Sequence, residues 1–177
     1  MKSSRAAEVS LAAATRRDLR ACADILMDSI LGEQYFKRTT AETILAQAIA
    51  KNEVTVASTA GGDIVGFYRL VLDGVFLTFA YIHLIAVKTD YRRSGIGTKL
   101  LQDAEQKILD ERDYPNIKKS FLLVGQGNPR AKRYYERNGY KRVATLENLF
   151  AERDTEYLMM KELGLATLGN TPQRHEG

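Results

Sequence analysis

Apolar positions along the chain change period several times, and each change marks an element. "EVSLAAA" (8–14) alternates weakly and predicts a first strand. Thr15 and Asp18 then stand in capping-box register, ahead of Leu19, Cys22, Leu26 and Ile30 at helical spacing. "LGEQYFKR" (31–38) reads as a loop carrying Glu33 and Tyr35. Thr39 and Glu42 repeat the capping register and predict a second helix over "TTAETILAQAIAKN". Two β-branched runs joined by Gly61 and Gly62 predict a hairpin. Asp73 and Gly74 predict a further turn into one long apolar strand over 75–88.

From Gly97 the period returns to helical, with Leu100, Leu101, Ala104 and Ile108 on one stripe and Pro115 closing the region. "KSFLLVG" (119–125) predicts a short buried strand. "NPRAKRYYERNGY" (128–140) has Asn at an N-cap, Pro at the first helical position and Gly139 beyond the end. "YKRVATL" and "TEYLMMKEL" predict two final antiparallel strands flanking a polar loop, 147–154. The expected order is β-α-α-β-β-β-α-β-α-β-β, an α/β chain with one domain over 8–163, a flexible start at 1–7 and a loose tail at 164–177.

Composition narrows the function classes. With 177 residues, 45% apolar and 27% charged, the chain can bury a core without disulfides. Its single cysteine, Cys22, excludes an internal disulfide and a multi-cysteine metal site, and its place on the apolar helix face predicts a core residue in a reducing, cytoplasmic setting. Histidines stand only at 83 and 175, so no metal-ligand cluster is visible. The longest apolar run, 75–87, is too short for a membrane helix and contains His83. A net charge of +4 is too small and dispersed to point to nucleic acid.

The segment "RRSGIGT" (92–98) lies between an apolar strand and a helix start. N–H groups in the first turn of a helix are unpaired, the helix dipole favours an anion there, and glycines allow a phosphate to approach. Arg92, Arg93 and Lys99 add charge. A plain strand-to-helix connection would account for the same residues. Neither a dinucleotide fingerprint nor a Walker loop fits, because the third glycine and the G-K pair are missing.

Thirty-one residues further on stands N-P-R-A-K-R-Y-Y-E-R-N-G-Y. With "VKTDYRRSGIG" before it, this pair of motifs resembles the GNAT superfamily of acetyl-CoA-dependent N-acetyltransferases. The resemblance implies a mixed, mostly antiparallel sheet of about seven strands, helices on both faces, and a V-shaped splay between strands 4 and 5. It implies that main-chain groups of Ile85, Ala86 and Val87 hold pantetheine and the thioester, and that a main-chain N–H near Val87 stabilises the oxyanion. By the same resemblance Arg92, Arg93, Ser94, Gly95, Ile96, Gly97 and Thr98 surround the pyrophosphate, with Asn128 and Ala131 toward pantetheine.

Tyr134 and Tyr135 point about 100° apart on a helix. The family pattern makes Tyr134 the core aromatic and Tyr135 the acid that protonates the leaving thiolate, a role that suits a phenol with pKa near 10. The family's usual glutamate is replaced by His83, which strand alternation places on one face with Tyr81, Ile85 and Val87. His83 is the candidate base, acting directly or through water, although a strand histidine also serves structural ends. Glu33, Tyr35, Glu147 and Asp154 are candidate contacts for a cationic acceptor, small molecule or peptide. The expected activity is direct acetyl transfer to a primary amine, without membrane or nucleic-acid partners and with a homodimer as one assembly the family uses. The competing reading is a non-catalytic acyl-CoA-binding module.

Overall fold

A computed structural model describes residues 8–111 and 118–164. The expected stop at Pro115, the flexible start and all but the first residue of the expected tail lie outside the described residues. β1 (Val9–Ala13) leads through a 3-10 turn into α1 (Leu19–Met27), α2 (Ile30–Tyr35) and α3 (Arg38–Ala50). β2 (Val54–Thr59), β3 (Ile64–Val75) and β4 (Phe79–Val87) form a meander, followed by α4 (Ile96–Asp110), β5 (Lys118–Gly125), α5 (Pro129–Arg137), β6 (Lys141–Glu147) and β7 (Thr155–Leu163).

The strands make one seven-stranded sheet in the order β1-β2-β3-β4-β5-β7-β6. Every neighbouring pair is antiparallel except β4 and β5. That parallel pair joins only at Ala80 with Ser120 and Tyr81 with Phe121, after which the strands part. The mixed α/β layout and the splay between strands 4 and 5 are as expected.

Two cores follow from the two faces of the sheet. On one face α4 inserts Ile96, Leu100, Leu101, Ala104 and Ile108 against Tyr68, Leu70, Ile82, Leu122 and Met159. On the other, Cys22, Ala23, Ile25 and Leu26 of α1 and Ala41, Leu45 and Ala48 of α3 pack on Val54, Val56, Phe67, Leu84 and Ala86. Cys22 is fully buried, and burial, helped by Asp18, pushes its thiol pKa up to about 12.

β4 contributes to both cores, which strict alternation would forbid. Ala80 and Ile82 belong to the α4 side, but Leu84 and Ala86 belong to the α1–α3 side. The register explains it: Leu84 stands opposite Arg69 and Ile82 opposite the next residue, Leu70, so His83 is inserted without a partner. A bulge of this kind reverses the facing of everything beyond it. The expectation that Tyr81, His83, Ile85 and Val87 share one face is therefore corrected. Ile85 and Val87 pack on the α4 side, whereas His83 bonds Arg69, which alternates with the α4-facing Tyr68 and Leu70.

Three other boundaries differ from expectation. The segment around Glu33 is a short helix, because Ser29 caps it by accepting from the Gly32 N–H. α3 starts at Arg38 with Lys37 as N-cap, and Glu42 is held by Arg38 instead of reaching back to a threonine. Asp73 and Gly74 lie inside β3, and the turn falls at Phe76–Thr78. Gly74 is there for space, since a Cβ would sit 2.5 Å from Cβ of Tyr81. Phe76 and Leu77 take left-handed conformations and are 80% and 86% exposed.

Leu100 is fully buried between α4 and the sheet. Leu100→Ala should cost about 2–5 kcal/mol, read as a lower urea midpoint with an unchanged slope.

Candidate active site

The glycine turn has the main-chain geometry of an anion cradle. Gly95 is the N-cap of α4 at φ +87°, and no side chain caps the helix. A Cβ at Gly95 would touch nothing within 4 Å, so glycine is required by the backbone and not by crowding. Arg93 also takes positive φ, 64°, and is exposed. The first-turn N–H groups of Ile96, Gly97 and Thr98 thus have no side chain competing with an anion.

The charges near this turn are mostly committed elsewhere. Arg92 donates from Nε to the Val87 carbonyl at 3.0 Å and from Nη2 to the Asp28 carbonyl at 3.0 Å, tying the end of β4 to the end of α1. Ser94 Oγ donates to the Tyr91 carbonyl, and Lys99 Nζ to the Val9 carbonyl. Arg92 and Ser94 therefore shape the turn with the side chains that were expected to face a phosphate.

Between the splayed strands, β4 from Ile82 to Val87 has β3 on one edge only, as β5 pairs β4 no further than Tyr81. The backbone of Ile85, Ala86 and Val87 is thus available on the open side, and an extended chain can add there as a strand would. The open edge and the uncapped helix start lie at the same end of β4. Together they suit an extended chain that ends in an anion. Asn128 caps α5, its Oδ1 accepting from the Ala131 N–H at 3.0 Å.

The two tyrosines of α5 divide burial in the reverse of the expected way. Tyr135 is 7% exposed and belongs to the α4-side core, its ring edge-on to Tyr134 and Tyr140 at centroid distances of 5.2 and 5.8 Å. Tyr140 in turn shares a 2.8 Å hydrogen bond with Ser120. Tyr134 is only partly buried, with its hydroxyl shut off from solvent near Gly97 and Thr98. Burial, then Tyr134 and Tyr81, raises the Tyr135 pKa, so its hydroxyl keeps its proton at neutral pH. The ring of Tyr135 thus serves the core on the α4 side, which Ala80 and Ile82 of β4 also line.

His83 is locked into one tautomer. Arg69 Nη1 donates to His83 Nδ1 at 2.8 Å, while Arg69 Nε and Nη2 hold Glu53 Oε2 at 2.9 and 2.8 Å. Arginine has no lone pair to offer, so Nδ1 must be the acceptor and Nε2 carries the hydrogen. Burial, and then Arg69, lowers the His83 pKa to about 4. A neutral ring with Nε2–H is a donor; it has no free lone pair with which to take a proton from an amine.

Sequence reasoning missed Arg69, Tyr81 and Glu156. Glu156 on β7 is 3% exposed and accepts a 2.6 Å hydrogen bond from the Tyr35 hydroxyl. Tyr35 meets Phe150 edge-on at 5.6 Å and couples electrostatically to Asp154. Tyr81 stacks on His83 at 5.6 Å and feels both Glu156 and Arg69; burial and then Glu156 push its pKa up to about 12. The expected acceptor residues Tyr35 and Asp154 are thus brought together, whereas Glu33 and Glu147 are exposed. A strand pattern of T-E-Y-L-M-M-K-E-L offers no signal that one of its glutamates is buried. Among the described residues no group of three His, Cys, Asp or Glu could hold a metal, and no helix is long and apolar enough to cross a membrane.

The sequence profile described as Acetyltransferase (GNAT) family matches residues 19–140. The chain belongs to the GNAT acetyltransferase family. This GNAT chain is 35% identical over 98 residues to an N-alpha-acetyltransferase of Sulfurisphaera tokodaii, covering 55% of the chain and 57% of that protein. It is 35% identical over 79 residues to an N-alpha-acetyltransferase of Saccharolobus solfataricus, covering 45% and 46%. The chain thus spans about half the length of the curated relatives it matches. Its fold is shared with Ard1 from Thermoplasma volcanium (TM-score 0.71, 23% identity, 87% of this chain and 97% of that one). It is shared too with a chain of the NatC complex bound to Gag peptide and CoA (TM-score 0.69, 17% identity, 89% and 99%).

A proton NMR titration should find the His83 ring signal, assigned by its loss in His83→Gln, without an inflection between pH 5.5 and 8. Arg69→Gln should move the inflection upward, toward the ordinary value, because the second cause of the depression is removed.

Proposed function

We propose that the protein transfers the acetyl group of acetyl-CoA to a primary amine, the α-amine of a peptide being the favoured acceptor. The observation that carries this reading is the β4–β5 splay with an uncapped, glycine-started helix at its open end. The N-alpha-acetyltransferase relatives support the choice of acceptor.

Acetyl-CoA supplies the acetyl group already activated as a thioester. The N–H groups from Arg93 to Thr98 hold its pyrophosphate, with the exposed Arg93 adding charge. Ile85, Ala86 and Val87 pair with its pantetheine through main-chain groups, and a main-chain N–H near Val87 polarises the thioester carbonyl. Asn128 and Ala131 frame the same arm from α5. Tyr135 gives its proton to the departing sulfur; its raised pKa keeps that proton in place until the thiolate forms. His83 contributes a hydrogen-bond donor at Nε2 in place of the base role expected for it. Tyr35 and Asp154 face the acceptor, and the exposed Glu33 and Glu147 add negative charge on neighbouring elements. Cys22 is sealed in the core and takes no part, so the amine attacks the thioester directly.

Tyr135→Phe should lower kcat by roughly 10²-fold or more while leaving the acetyl-CoA dissociation constant, measured by calorimetry, within about twofold of wild type. Full turnover in that variant would remove Tyr135 as the acid. Gly95→Val should instead weaken acetyl-CoA binding, since a β-branched residue resists φ +87°.

A further inference from the structure

Among the described residues, Glu156 is a buried carboxylate whose one hydrogen bond comes from a phenol. Its carboxylate is almost wholly buried, yet no Lys, Arg or His pairs with it among the described residues. Buried carboxylates without a cation are costly, so their retention points to a partner that arrives from outside. Only Oε1 is engaged, by Tyr35; Oε2 has no partner and is not sealed from solvent.

Gly125, paired with Glu156 across β5 and β7, makes the arrangement possible. A Cβ there would lie 2.9 Å from the Tyr35 hydroxyl and 3.1 Å from Glu156 Oε1. The absence of a side chain at the end of β5 therefore makes room for the Tyr35–Glu156 pair beside the splay. One carboxylate and a phenol are too few ligands for a metal ion but enough for one ammonium. Tyr35 bonds the carboxylate, Tyr81 is close enough to feel its charge, and Phe150, 61% exposed, packs on Tyr35. Aromatic rings of this kind favour a cation.

We propose that Glu156, oriented by Tyr35, seats the ammonium of the acceptor at Oε2 and takes its proton before attack. This rests on the acetyl-transfer reading above. In this first proton transfer one N–H bond breaks and one O–H bond forms on Glu156; the second proton, lost from nitrogen as the amide forms, replaces the one that Tyr135 gives to sulfur. The nitrogen keeps the electron pair, and the carboxylic acid returns the proton to solvent after the product leaves.

The other charged and titratable groups around the seat set the acceptor class. Arg69 (paired with Glu53), His83 with its Nε2–H, and Tyr81 come from β3 and β4, Tyr35 comes from α2, and Asp154 is the residue before β7. A negative seat beside a donor-bearing flank, in which Glu53 balances the charge of Arg69 and His83 is neutral, matches an amine followed closely by a carbonyl, as at a peptide N-terminus. A polyamine would bring a second ammonium against a flank that offers donors and whose carboxylate, Glu53, is already held by Arg69.

The test compares the intact protein with Glu156→Gln, Tyr35→Phe and Gly125→Ala, using acetyl-CoA with an alanine-initiated peptide amide or spermidine as acceptor. Glu156→Gln should lower kcat/KM for the peptide by roughly 10²-fold or more. Tyr35→Phe, which removes the hydroxyl that orients the carboxylate, and Gly125→Ala, which crowds the pair, should each lower it by about tenfold, and acetyl-CoA affinity by calorimetry should hold in all three. Wild type should prefer the peptide to spermidine. If wild type is active but Glu156→Gln and Gly125→Ala stay within threefold of it, the seat is overturned and acetyl transfer stands. If Glu156→Gln fails to fold, Gly125→Ala and Tyr35→Phe decide alone. A better rate with spermidine overturns the dipolar seat, and a wild type that acetylates neither amine overturns both readings.

Discussion

β4 carries one residue more than β3 can pair, and the surplus residue is His83. Before the bulge, Ala80 and Ile82 fill the α4-side core; after it, Leu84 and Ala86 fill the other. Because of this reversal Tyr81 and His83 are gathered with Arg69, while Ile85 and Val87, only a few residues on, pack toward α4. A regular strand would have kept the even-numbered residues on one face throughout and mixed the two environments. The bulge separates a polar cluster that can meet an amine from a main-chain edge that can meet an extended thioester arm.

The same strand gives up hydrogen bonds on its other edge. A parallel partner that pairs at only two positions leaves polar main-chain groups without strand partners, a cost most sheets avoid. Here the cost is borne by packing on either side of the opening: α5 wedges Tyr135 against Tyr140, and Tyr140 is anchored to Ser120 of β5. α4, held to β1 through Lys99 and to β7 through the Lys161–Glu105 ion pair, keeps the helix start fixed at the end of the gap. The opening is therefore a product of the core and not of a flexible loop.

Much of this was legible in the sequence because it depends on period and on punctuation. The helical stripe of α4, the Gly61–Gly62 hairpin and the Asn-Pro start of α5 are local signals, and the two motifs carried the family. What could not be read depends on contacts across the chain. The bulge at His83 is a mismatch between two strands, and no single-strand pattern shows it. Gly74 looked like a turn residue because its reason, the nearness of Tyr81, comes from the partner strand. Arg92 looked like a phosphate ligand because the carbonyls that occupy it belong to α1 and β4. Glu156 was one polar residue in an alternating strand until Gly125 and Tyr35 closed around it.

Cys22 has an analytical consequence. It is the only thiol in the chain, lies wholly in the α1–α3 core and is held in its protonated, unreactive form. A thiol-specific dye added to the folded protein therefore registers liberated CoA alone. When the core opens, Cys22 adds one equivalent per chain, so the same reagent times the opening of this core.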